Sequence, residues 1–142
     1  MSHKRKRTGI RIYSEKDVDI KLKKAFVDFA KWLRKEYDFP VRIPVYVKKD
    51  KYIKNSKGEF SSALFFGPYD KNEEPYIKIA TGDFQELINN SGERNAILSI
   101  LNSLAHEIQH YYQWYDDTDY DEDEAELGAE ELIYEYIDSC SV

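Results

Sequence analysis

The chain has 142 residues, a mass of 16.8 kDa and a net charge of −6, enough for one domain with one core. Aromatic residues make up 15% of it, which excludes the disordered class, and the single cysteine, Cys140, excludes an internal disulfide framework and a cysteine zinc cluster. No stretch approaches the roughly 20 apolar residues of a membrane span, and no apolar segment follows the basic start as in a secretory signal, so no membrane association and a cytoplasmic location are expected.

In chain order, His3, Lys4, Arg5, Lys6 and Arg7 open with basic groups. Residues 1–10 are expected to be a flexible, solvated tail, with nucleic acid an unlikely partner, and residues 11–142 a single domain without repeats. Ser14 and Asp17 resemble a capping box, after which Val18, Leu22, Ala25, Phe26, Phe29, Leu33 and Tyr37 recur at helical spacing. That helix should stop before Pro40. Three strands are expected: Val41 to Val47, where Pro44 argues for an edge or a bulge, then Ser61 to Phe66 and Tyr76 to Ala80. Between the first two, Lys48 to Lys57 reads as a charged hairpin or loop. A helix is expected from near Ser91 to Glu93 until about Tyr115, and a last one from Thr118 or Asp119 to about Ile137. Helix, three strands and two helices give an α+β class.

The segment His106-Glu107-Ile108-Gln109-His110 is the informative one. Two His four residues apart on a helix share a face and can converge on one metal. The Glu between them can reach an attacking water without being a ligand. This is the zinc-peptidase pattern H-E-x-x-H. With three His in the chain, random placement would give it roughly 0.006 times.

A catalytic zinc site needs a third protein ligand and an open position. The remaining His3 and Cys140 lie near the chain ends, which leaves an acid. Two spacings compete. Asp116 stands six residues after His110, the metzincin spacing, but Gln113 replaces the turning Gly and Met1 is the only Met. The alternative is a carboxylate on the following helix. There the small residues Ala125, Gly128 and Ala129 would allow close helix approach, and Glu124 sits at the edge of the apolar face. Glu124 is favoured, with Glu122 and Glu131 as fallbacks.

His106 to His110 followed by Glu124-Ala125-Glu126-Leu127-Gly128-Ala129-Glu130-Glu131-Leu132 resembles the short gluzincin-type metallopeptidases, including the minigluzincins and the ImmA/IrrE family. The resemblance covers about residues 15 to 137. It implies a minimal zincin-like fold: an N-terminal helix, a small three-stranded sheet, the H-E-x-x-H helix and a C-terminal glutamate helix. It implies His106, His110 and Glu124 as ligands of one Zn²⁺ per chain and Glu107 as the base. It also implies that a sheet edge above the cleft, with Ser61 to Phe66 the candidate, binds an extended peptide. The downstream His of SprT-like proteins is absent.

The expected activity is a zinc-dependent endopeptidase acting on a peptide or protein, with Glu107 activating the attacking water. Tyr120, near the start of the last helix, is the candidate oxyanion donor among many tyrosines. The alternative is a zincin-fold binding or regulatory module with little or no peptidase activity. The intact Glu107 favours the enzyme, because a binder has no need of the base.

Overall fold

A computed structural model describes residues 7–140, and Lys4 to Lys6 of the expected tail lie outside the described residues. The elements are β1 (Ile10–Ser14), α1 (Ile20–Glu36), β2 (Ile43–Lys48), β3 (Ile53–Lys54), β4 (Phe60–Ser61), β5 (Ala63–Phe66), β6 (Tyr76–Ala80), α2 (Phe84–Ser91), α3 (Glu93–Tyr115) and α4 (Glu122–Cys140). The class is α+β. A four-stranded sheet has the order β1-β2-β6-β5, and β3 and β4 form a separate antiparallel hairpin.

β1, β2 and β6 are parallel, and β5 runs antiparallel to β6 as an edge strand. Parallel neighbours need a crossover, and α1 supplies the one between β1 and β2. The inward side chains Ile10, Ile43, Val45, Val47, Ile77 and Ile79 are fully buried. Against them pack Leu22, Phe26, Phe29 and Leu33 of α1 and Leu104, Ile108 and Tyr111 of α3. Tyr111 is wholly buried, yet its hydroxyl donates to the Val41 carbonyl at 2.6 Å and accepts the Val41 N–H at 3.0 Å. A buried polar group is tolerated on those terms.

Several expectations change. Ile10 is a core residue of β1, a strand the sequence reading does not contain, and residues 7–9 are tied down as well. The Gly9 N–H donates to Phe39, the Ile43 N–H to Gly9 and the Arg42 N–H to Arg7, each at 2.9 Å. The tail therefore cannot extend to residue 10. Arg11 and Tyr13 alternate with buried Ile10 and half-buried Ile12, a period-2 pattern too short to stand out beside the basic run. α1 is capped by Asp19, whose carboxylate accepts the Lys21 N–H at 2.8 Å, and not by Ser14. It ends at Glu36, before Pro40 as expected. The sheet has four strands rather than three.

β2 is central rather than an edge, despite Pro44. The Ile43 N–H points to β1, so the Pro44 nitrogen faces β6. It lies one position before the ladder there begins at Val45 and Ile77, so the missing donor breaks no ladder bond. The run from Ser61 to Phe66 is split at Ser62 between β4 and β5. α2 was not expected from the sequence: Phe84, Leu87 and Ile88 do recur at helical spacing and pack on the core, but the element is only eight residues long.

The turn after β5 packs closely on α3. A Cβ on Gly67 would lie 2.4 Å from the Trp114 ring, whose Nε1–H donates to the Pro68 carbonyl at 2.8 Å. Gly67→Ala is expected to destabilise the protein by about 1–3 kcal/mol, because the buried indole cannot retreat without losing that bond. Urea unfolding followed by Trp fluorescence measures this; an unchanged midpoint would mean that the turn shifts freely.

Candidate metal centre

α3 brings His106, Glu107 and His110 to one place, as the spacing predicts. Its apolar residues Leu101, Leu104 and Ile108 hold it against the sheet, and the His pair faces the start of α4. The two imidazole rings have centroids 4.9 Å apart.

The acid that lies against the His pair is Glu122, whereas Glu124 was the one expected. One Glu122 oxygen lies 3.0 Å from His106 Nε2 and the other 2.8 Å from His110 Nε2. The possible ligand atoms of His106, His110 and Glu122 all lie within 4.8 Å of one another. Glu124 instead accepts from Gln113 Nε2 at 3.3 Å. Asp116 caps the end of α3 and lines a different cavity, with Tyr37 and Tyr112. Glu131 lies on that other side, near Tyr37, whose pKa is raised chiefly by burial and by the hydrogen bond to Glu135, with Glu131 adding a little. The metzincin spacing is therefore not formed.

The turn between the helices decides which glutamate arrives. Asp117 adopts a positive φ of 57°. The Thr118 N–H donates to the Gln113 carbonyl at 3.0 Å and the Asp117 N–H to Trp114 at 3.3 Å. This is a Schellman-type stop with Asp in place of the usual Gly. It sends the chain back along α3, so that the first residue of α4, Glu122, meets the His pair. Ala125 and Ala129 are fully buried, and a Cβ on Gly128 would lie 2.4 Å from the Gln109 side chain. The small residues thus permit the close helix approach expected of them.

Glu107 is 9% exposed and lies beside the His pair. Burial raises its pKa above the ordinary carboxylate range. The two imidazoles oppose that rise, Glu122 adds to it, and the Phe65 backbone N–H of β5 donates to the carboxylate and lowers it. A cavity of about 310 Å³ opens beside it, lined by Ser62, Ala63, Asn102, Ser103, His106, Glu107 and Glu122.

Gln113 is the residue whose role is not legible as a motif. It is 3% exposed. Its Nε2 donates to the Asp121 carbonyl at 3.1 Å and to Glu124 at 3.3 Å, while its Oε1 accepts the Asp121 N–H at 3.3 Å. Those partners orient the amide, so His110 Nδ1, 2.7 Å from Oε1, is the donor. The other ring nitrogen of His110, Nε2, faces a Glu122 oxygen at 2.8 Å. Two acceptors at that distance need a proton or a cation between them. A Gln three residues beyond the second His, on the same helical face, is the signal that could have marked it.

Gln113→Leu is expected to weaken metal binding about 10- to 100-fold, since it frees the His110 ring and the start of α4 together. Titration with a competing zinc chelator reads this directly. Unchanged affinity would remove Gln113 from the site.

Tyr120 stands beside this group, its ring 5.7 Å from that of His110 and 6.4 Å from that of Phe65. Partial burial raises its pKa, and 58% of the residue remains exposed.

No family model, curated protein or solved structure matches the chain. Among the described residues no helix is long and apolar enough to cross a membrane.

Proposed function

We propose that the protein is a zinc-dependent peptidase with a zincin-like arrangement, in which His106, His110 and Glu122 hold one Zn²⁺ and Glu107 is the general base. The observation that carries this is the convergence of two imidazoles and one carboxylate, with a second carboxylate, Glu107, buried beside them. The donor set fits zinc, because two neutral imidazoles and one carboxylate are a recurrent catalytic zinc set that leaves a coordination position open. Bound zinc would supply a Lewis acid that acidifies water and polarises a carbonyl.

The chain's own residues account for the rest. Glu107 accepts a proton from the attacking water and returns it to the leaving amine. Gln113 keeps His110 in the tautomer that exposes Nε2. Tyr120, with its ring next to His110, is the proposed oxyanion donor.

β5 is the proposed substrate edge. The Ala80 N–H donates to the Ser62 carbonyl, so the main-chain groups of Ala63 and Phe65 point away from β6, towards the site. A peptide added along β5 would lie over Glu107 and place a side chain in the polar cavity.

The test is metal content and cleavage together. Protein loaded with zinc and dialysed is expected to hold one ion per chain and to cleave an unfolded protein substrate. A chelator should abolish cleavage and zinc should restore it. Protein that binds zinc without cleaving any peptide would be the binding or regulatory module instead, and protein that does neither would overturn the metal site as well.

A further inference from the structure

Both long helices that build the core, α1 and α3, pack on the inner face of the sheet. The outer face carries a continuous aromatic row. Tyr13 stacks on Tyr46 at 5.7 Å between centroids, Tyr46 meets Tyr76 edge-on at 6.3 Å, and Tyr76 stacks on Phe66 at 5.1 Å. The row crosses all four strands, β1, β2, β6 and β5 in turn. Tyr13, Tyr46 and Phe66 are 44%, 37% and 46% exposed, which is unusual for four rings already in mutual contact.

The charge on this face is opposite to that of the protein. The chain has 27 acidic against 21 basic residues, yet none of the four strands contains an Asp or a Glu. Their charged residues are Arg11, Lys48 and Lys78, and each lies on the outer face, an even number of positions from the aromatic residue of its own strand. The Arg42 guanidinium donates to the Tyr13 hydroxyl and stands 5.9 Å from that ring's centre, and Lys78 Nζ stands 5.3 Å from the centre of Tyr76. At the rim, Glu15 lies 3.9 Å from Lys48 and Glu74 lies 3.9 Å from Arg42, both long for an ion pair. The Arg42 N–H also holds the Arg7 carbonyl, and in the sequence Lys4, Arg5 and Lys6 come just before Arg7.

We infer that the outer face of the sheet is a binding platform for single-stranded nucleic acid, with bases stacked on Tyr13, Tyr46, Tyr76 and Phe66 and phosphates held by the interleaved Arg and Lys. The part of each π-face that the neighbouring ring leaves uncovered can stack a base of any kind, and cations spaced between rings meet the backbone that links those bases. A duplex hides its bases and cannot use the rings. An acidic peptide would satisfy the cations and leave the aromatic row without a partner. Of these three, the single strand is the polyanion that uses both features. Stacking needs no 2′-hydroxyl, so RNA and DNA strands should both bind. The inference does not rest on the proposed peptidase, whose residues lie on the opposite side of the sheet. It departs from the expectation, drawn from the sequence, that nucleic acid is an unlikely partner.

The experiment is fluorescence anisotropy with labelled single strands of about ten nucleotides, one ribo and one deoxyribo, and a matched duplex. Both single strands are expected to bind more tightly than the duplex, with affinity falling steeply between about 50 and 200 mM salt. Tyr46→Ala should weaken binding roughly 10-fold. Lys78→Glu should weaken it and flatten the salt dependence. Glu107→Gln should bind as the wild type does, which separates this surface from the metal centre. As both substitutions on the platform are at solvent-facing positions, circular dichroism should show the fold kept. If Tyr46→Ala unfolds the chain, Tyr13→Ala reads the same row. Three results would overturn the inference: no binding at low salt, binding indifferent to Tyr46 and Tyr13 but lost on deleting residues 1–6, or equal competition by poly-glutamate.

Discussion

Glu107→Gln is expected to retain zinc at the wild-type level and to lose peptide hydrolysis by at least about 10²-fold. The amide keeps the size of the side chain, and its carbonyl oxygen can still accept the Phe65 N–H. It cannot take a proton from water at neutral pH. His106, His110 and Glu122 are untouched, so metal content should not follow activity. A second effect separates this from general damage. Burial penalises the charged form of Glu107, so in chelated protein the neutral Gln should raise the melting temperature. Lost activity with lost zinc would make Glu107 a ligand or a structural residue. Full activity in the variant would place the base elsewhere.

The second large effect concerns the third ligand. Glu122→Ala is expected to cut zinc affinity by at least the 10- to 100-fold that outer partners cost, because it removes an anionic ligand outright. Glu124→Ala should cost much less. It removes one acceptor of Gln113, whose bonds to Asp121 and His110 remain. Asp116→Ala should leave affinity unchanged, since Asp116 faces another cavity. Zinc titration of the three variants ranks them. If Glu124→Ala loses the metal and Glu122→Ala keeps it, the sequence-based choice was right and the start of α4 rearranges on binding. If Asp116→Ala loses it, the metzincin spacing holds.

Much of the site was legible because a helix converts spacing into direction. His106 and His110 four apart had to share a face once their segment was helical, and the apolar stripe of α3 established the helix. Both elements that carry the site, α3 and α4, were expected from periodicity. The close packing of α4 followed from Ala125, Gly128 and Ala129, because small residues act locally wherever the helix lies. β1 and α2 were not legible. Each is short, and each depends on long-range partners: β2 for the first, the core around Phe84 for the second.

By itself the sequence determined the helix that carries the His pair, the acidic partner helix, the α+β class and the residue types the proposed chemistry would need. Which of several glutamates meets the His pair was decided only by tertiary structure. Glu122 and Glu124 are two residues apart, and the choice turns on where Asp117 reverses the chain and where Gln113 anchors Asp121. The exposed aromatic row was likewise invisible in one dimension. Tyr13, Tyr46, Phe66 and Tyr76 are scattered along the chain and become neighbours only because β1, β2, β6 and β5 pair in that order. Local spacing sets the direction of side chains within one element, whereas the register between elements is set by burial of the whole core.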